Sequence, residues 1–343
     1  MPDFTSALYL DLTHANFLGF ANMPLTNGKP SVLQEPKLNN WVANQVAQMQ
    51  GIQEGLLYPS SLHAFFDVSL CFSTNTIVFI DEKLYPIGKW GLERAKNKGV
   101  TLLEFTNSED LAYKLFRLKP FQKEVWVVCN GWNIETQSPS AIQEYQQLLA
   151  PFNGKILIDD TQCFGLLGES PSQQMPFGFN GGGILKYLGI TETKNIITII
   201  SLSKSYGIPM TVLSANSKII QQLKQESDVR LHCSPVSNWY VMLAYKTLVN
   251  QPFLNHQRFQ LYQNVCLFRN TIKQLGLHLK NTLFPVQTIR LGSKEEASYY
   301  FQQFSKMGIS CLRTALNELS FCIRAGHSAQ ELNLLLNNLR ERN

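Results

Sequence analysis

Short apolar runs rich in branched side chains recur along the chain, at residues 76–80, 125–129, 156–158 and 196–202, with amphipathic segments between several of them. Uninterrupted runs of this length suit strands buried on both faces of a parallel sheet, with helices covering both sides. Residues 40–50, 86–98, 140–149 and 217–226 mix apolar positions at helical spacing with a solvated face. Ser138-Pro139-Ser140 supplies a start signal for the third of these helices. From about Pro235 the pattern changes to one long helical region reaching Gly276. Strand-like residues 286–291, a helix over 293–307, strand-like 319–323 and a last helix follow. Residues 169–183, with Pro171, Pro176 and Gly181-Gly182-Gly183, read as a long loop, and a loop of that length inside a compact domain is often functional.

A chain of 343 residues exceeds the usual limit of a single core. The change of pattern predicts an α/β protein with a large domain over 45–245, whose mostly parallel central sheet is flanked by helices. A smaller α+β domain would combine 246–343 with 1–44, the latter including an N-terminal arm. The 44% hydrophobic and 16% charged residues are an ordinary globular balance. The net charge of +5 comes from basic residues scattered along the chain, so nucleic acid is not an expected partner. Seven cysteines form no CxxC pair or metal-like spacing and several lie in apolar runs, which reads as buried thiols in a reducing cytoplasm, with no metal site. The N-terminus lacks the basic and apolar regions of a signal peptide, and no apolar stretch approaches membrane-spanning length, so a cytoplasmic protein without a membrane partner is expected.

Two strand ends carry candidate chemistry. The run at 156–158 stops in Asp159-Asp160, and ligands of open parallel sheets bind beyond the carboxyl ends of strands. A carboxylate there suits a cationic ring nitrogen or a metal, while a turn or helix cap is the plainer use of the pair. The run at 196–202 stops in Ser203-Lys204, followed by Ser205-Tyr206-Gly207. A lysine there, near hydroxyls able to bind phosphate, suits a carbonyl-trapping amine, against the alternative of a solvated loop charge. Gly181-Gly182-Gly183 follows no buried strand and lacks GxGxxG spacing, which weakens a nucleotide-binding reading.

The order of these motifs resembles that of fold-type-I pyridoxal-phosphate-dependent enzymes, in particular the class II aminotransferase and α-oxoamine synthase group that includes 8-amino-7-oxononanoate synthase. The resemblance covers most of the chain. Asn16-Phe17-Leu18-Gly19-Phe20 matches an Asn-Tyr-Leu-Gly-Leu motif, and Pro59-Ser60-Ser61-Leu62 matches a Pro-Ser-Gly-Tyr turn. Asp159-Asp160-Thr161-Gln162 with Gly165 matches Asp-Glu-Ala-His and its trailing Gly. Ser201-Leu202-Ser203-Lys204-Ser205-Tyr206-Gly207 matches Thr-Leu-Ser-Lys-Ala-x-Gly, the most specific of the four.

The resemblance implies pyridoxal phosphate as cofactor, with Lys204 as its Schiff-base lysine and Asp159 paired with its pyridine nitrogen. It implies phosphate contacts from Ser201 and Ser203 and from the backbone amides of Ser61 and Leu62 at a helix start. Gln162 stands where the group has a histidine beside the cofactor's phenolic oxygen, and its amide can donate there. Tyr85 stands where a histidine stacks on the ring, Asn130 is a strand-end cofactor contact, and Ser234 is placed to reach phosphate across a dimer interface. For the substrate, the resemblance points to Asn16. The arginines expected near the C-terminus are replaced by Glu318 and Ser320, leaving Arg324, and Arg313 before it, as nearby candidates. The implied protein is a homodimeric biosynthetic transferase, moving an amino or acyl group on a small amino acid or amine. A lyase or decarboxylase of the same fold, or a degenerate dimer subunit, is the alternative.

Overall fold

The computed structural model describes residues 2–14, 23–118, 123–280 and 282–340. A seven-stranded sheet has the order β1 (Glu54–Tyr58), β9 (Thr211–Ala215), β8 (Ile196–Ser201), β7 (Lys155–Asp159), β4 (Val125–Asn130), β2 (Ile77–Asp81), β3 (Thr101–Phe105). From β8 to β3 every pair is parallel, while β9 runs antiparallel to both β8 and β1.

Alternate residues of the central strands feed two separate cores, as the two-residue period of a strand requires. Ile77, Phe79, Val125, Val127, Ile156 and Ile158 face one core, into which α1 (Lys37–Gln50) and α5 (Ile142–Leu149) send Val42, Val46, Ile142 and Leu149. Val78, Ile80, Trp126, Val128 and Leu157 face the other, closed by Phe65 of α2 (Ser61–Val68) and by Ile220 and Leu223 of α7 (Ser217–Glu226). The apolar runs are continuous because both faces are dry. Helix α1 packs on β1 and β9 of this sheet and so spans position 44–45, where the chain pattern suggested a boundary.

A second, antiparallel sheet has the order β10 (His278–Leu279), β11 (Val286–Arg290), β13 (Glu318–Cys322), β12 (Leu312–Ala315). Phe268 of α10 (Gln251–Gln274), Phe304 of α11 (Lys294–Lys306) and Leu336 of α12 (Ala329–Arg340) share its apolar core.

Three expected elements differ. The long helix over 235–276 is two, α9 (Asn238–Leu248) and α10, broken at Val249–Asn250. Pro252 lies in the first turn of α10, where a proline's missing amide costs nothing, whereas inside a continuous helix it would remove a bond and clash. The helix expected over 86–98 tightens after α3 (Pro86–Leu92) into a 3₁₀ segment, Glu93–Lys98. Ser138–Pro139 is not a helix start; it forms β6, paired with β5 (Trp132–Asn133), and α5 begins at Ile142. Of the remaining helices, α4 (Ser108–Phe116) connects β3 to β4, α6 (Ile184–Tyr187) follows the glycine-rich loop and α8 (Asp228–His232) follows α7. All seven cysteines are free thiols, four of them buried. Among the described residues no helix is long and apolar enough to cross a membrane.

Candidate active site

The parallel strands β2, β4, β7 and β8 end in Asp81, Asn130, Asp159 and Ser201, all at one edge of the sheet. A cavity of about 560 Å³ opens beyond that edge. It is lined by Ser61, Tyr85, Asn130, Asp159, Gln162, Ser201, Ser203 and Lys204, eight positions singled out from sequence and spread over more than 140 residues.

Asp159 is buried, and its Oδ1 accepts the Thr161 amide at 3.1 Å. Asp159 is one of the residues lining the cavity. Burial raises the pKa of this carboxyl, against the opposing pull of the Thr161 hydrogen bonds and of Lys204. Lys204 lines the same cavity from the turn after β8. Burial lowers its pKa, opposed by Asp159, and its ammonium makes no hydrogen bond to a described residue. The two charges therefore share a cavity without closing on each other in a salt bridge. An amine with a depressed pKa is a readier nucleophile near neutral pH.

On another wall, α2 begins at Ser61 with no side-chain cap, so the amides of its first turn, Ser61 and Leu62 among them, point off the helix end. The Ser61 hydroxyl lies 3.3 Å from that of Thr211. Ser201 Oγ donates to Ser203 Oγ at 2.9 Å, and the Ser201 amide is held by Thr161 Oγ1 at 3.0 Å. Free amides beside a cluster of hydroxyls form an anion site. A buried carboxylate, an amine without a hydrogen-bond partner among the described residues and a separate anion site fit the three polar ends of pyridoxal phosphate: ring nitrogen, aldehyde and phosphate.

Tyr85 caps α3 and stands 57% exposed, with the Lys204 ammonium 5.7 Å from its ring centroid. Asn130 holds this turn in place. Its Nδ2 donates to Lys83 O at 2.6 Å and its Oδ1 accepts the Tyr85 amide at 3.2 Å. Asn130 thus acts through Tyr85 as well as lining the cavity. Gln162 Oε1 accepts the Tyr9 hydroxyl at 2.7 Å.

Three positions do not line the cavity, and a fourth is not described. Asn16 lies outside the described residues. The Leu62 side chain is 40% exposed and is not among the cavity-lining residues, which leaves its backbone amide as the relevant group. Ser234 is exposed and away from the cavity, and Ser237 rather than Ser234 caps α9. Arg324 does not reach the cavity: its guanidinium donates to Asp11 Oδ1 at 2.9 Å. Of the residues at the expected arginine positions, Glu318 accepts Arg290 at 2.9 Å, and Ser320 exchanges hydrogen bonds with Thr288 and Thr314 at 2.8 Å.

No residue of the glycine-rich loop at 169–183 lines this cavity. The second carboxylate of the pair, Asp160, is fully buried and accepts the Ile184 amide at the start of α6, anchoring the loop's end. Sequence reasoning missed Thr161, Lys83 and Trp132 in the lining. The rule that ligands sit beyond strand ends already pointed at Trp132, two residues after β4, and at Thr161, two after β7.

No family model matches the chain. An 8-amino-7-oxononanoate synthase of Pseudomonas syringae pv. syringae is 24% identical over 195 residues, 54% of this chain and 46% of that protein, so the match spans about half of the relative. One from Hydrogenovibrio crunogenus is 19% identical over 353 aligned positions, 97% of this chain and 86% of the relative. A solved serine palmitoyltransferase from S. paucimobilis, with a bound PLP–myriocin aldimine, superposes with a TM-score of 0.84 at 16% identity, covering 98% of this chain and 86% of that one. Likeness in fold runs along nearly the whole chain, which therefore has the fold of that solved enzyme, and in sequence it is similar to 8-amino-7-oxononanoate synthases.

Proposed function

We propose that the protein is a pyridoxal-phosphate-dependent transferase that moves an amino or acyl group on a small amine-bearing substrate. The observation that carries this reading is the placement of Asp159 and Lys204 on neighbouring strand ends, facing one cavity without pairing with each other. When bound, the cofactor supplies a protonated ring that withdraws electrons from the carbon next to the substrate's nitrogen. Asp159 would hold that ring's N–H, and Lys204 would hold the aldehyde end. The Ser61 and Leu62 amides, with Ser201 and Ser203, would hold the phosphate, and Tyr85 would cover a ring face. Gln162 would donate a hydrogen bond on the cavity side. Lys204, once released by substrate, is the base placed to move a proton at the reacting carbon.

No arginine of this chain's described residues lines the cavity; its cations are Lys83, Lys89 and Lys204. Lys89 is committed to Glu104 at 2.8 Å and to Glu82 O at 2.9 Å. Among the described residues nothing supplies the bidentate clamp that arginine gives a carboxylate, which favours amines, or amino acids held by Lys83, over tightly clamped α-amino acids. The free cysteines support a cytoplasmic setting. An exposed Ser234, away from the chain's own cavity, supports a homodimer in which it serves the partner's site.

Spectrophotometric titration with pyridoxal phosphate tests the reading. Saturable uptake by the wild type is expected, weakened roughly tenfold or more in Asp159→Ala by loss of a charge-assisted hydrogen bond. A wild type that takes up none sinks the proposal.

A further inference from the structure

Tyr9 is wholly buried, yet its hydroxyl touches the cavity wall through one hydrogen bond, donated to Gln162 Oε1 at 2.7 Å. Tyr9 is held at its hydroxyl, its ring and its backbone. Its ring edge packs on Phe284, with centroids 5.8 Å apart, and Phe284 stacks on the cavity-lining Trp132 at 4.7 Å and 14°. Its carbonyl accepts the Ala325 amide at 2.8 Å. With the carboxamide oxygen held behind the wall, the two Nε2 donors have no partner among the described residues, and Gln162 lines the cavity.

We propose that Tyr9 is a positioning residue: it fixes the Gln162 amide with its donors toward the cavity, as a hydrogen-bond donor for an oxyanion of the bound ligand. This rests on the proposed function, in which that oxyanion is the phenolic oxygen of pyridoxal phosphate. The flipped amide would donate to the Tyr9 oxygen, leave the buried Tyr9 proton without an acceptor among the described residues, and turn a carbonyl oxygen toward the ligand. An amide carries no proton to lose, so the donor persists across the working pH range, as an imidazole in its place would not.

The test compares wild type, Tyr9→Phe, Gln162→Leu and Tyr9→Phe/Gln162→Leu. Phenylalanine keeps the ring packing and removes only the hydroxyl. Titrated with pyridoxal phosphate, Tyr9→Phe should bind several-fold to roughly tenfold more weakly, the weight of one hydrogen bond. Gln162→Leu should lose at least as much, and the double variant no more than Gln162→Leu alone. Gln162→Glu keeps an acceptor for Tyr9 and turns an anionic oxygen to the ligand, so it should bind more weakly than Gln162→Leu. Unchanged affinity in Tyr9→Phe, or losses that add in the double variant, overturns the proposal. A urea-unfolding cycle of the same four proteins without cofactor separates this claim from the reading it rests on. Non-additive midpoints support the Tyr9–Gln162 bond whether or not the protein takes up pyridoxal phosphate, and additive midpoints overturn it. Failure of the wild type to bind removes the proposed function instead.

Discussion

At Lys204 the fold holds an ammonium partly out of water with no hydrogen-bond acceptor among the described residues, and the cost of that arrangement depends on pH. Burial puts its folded pKa below the 10.5 of a free lysine, so the unfolded chain binds the proton more tightly. The destabilisation is complete below the folded pKa and is relieved as pH rises toward 10.5. Lys204→Met is therefore expected to stabilise the cofactor-free protein at neutral pH, with a gain that shrinks in alkali, as read from urea midpoints. Asp160 has the opposite sign. Burial pushes its pKa from 3.8 up to about 8, so across that window the unfolded chain ionises while the folded chain keeps its proton. Stability falls as pH rises through the window, by at most ~1.4 kcal/mol per pH unit, and levels off above it. Asp160→Asn, which can still accept the Ile184 amide, should remove this part of the slope between about pH 5 and about pH 8. An unchanged slope would show that Asp160 is ionised in the folded state. The Asp159-Asp160 pair was legible from sequence as a strand end, but its division of labour was not. Which carboxylate meets the cavity follows from the pleat, and the partner of the other lies 24 residues away at Ile184.

The turn after β2 and the loop before α6 show how single contacts hold whole elements. Asn130 ties Lys83 O and the Tyr85 amide to the end of β4. Asn130→Ala should release the Tyr85 turn and weaken pyridoxal phosphate binding by roughly tenfold, the worth of one or two hydrogen bonds, with little effect on the circular dichroism of the fold. Gly183 precedes α6 with φ at +82°, and an added Cβ would stand 2.0 Å from Asp160 Oδ2. Gly183→Ala combines a left-handed backbone with a collision against a buried carboxyl, and a loss of about 2–4 kcal/mol is expected. Urea unfolding measures the loss, and faster proteolysis within 169–183 would locate it. Buried strands and one-sided helices were readable because each states its own environment in its period. The break at Val249–Asn250 and the β5–β6 hairpin were less so, since Pro252 and Pro139 mark an interruption without saying which element resumes.

Across the whole molecule, the strand-end lining of the cavity could be read from the chain, because an open parallel sheet brings all such ends to one edge. The walls supplied by more distant segments could not. Tyr9 meets Gln162 across 153 residues, and Trp132 is backed by Phe284 from the second sheet. No local pattern marks either pair. For the same reason Arg324 looked available from its place after β13, whereas the fold brings Asp11 of the N-terminal segment to its guanidinium. The most direct test of the account is to load the purified protein with pyridoxal phosphate, reduce it with borohydride, and map the modified peptide by mass spectrometry. The account predicts a single stable adduct on Lys204, absent from Lys204→Ala. An adduct spread over surface lysines, or one that persists in Lys204→Ala, would contradict it.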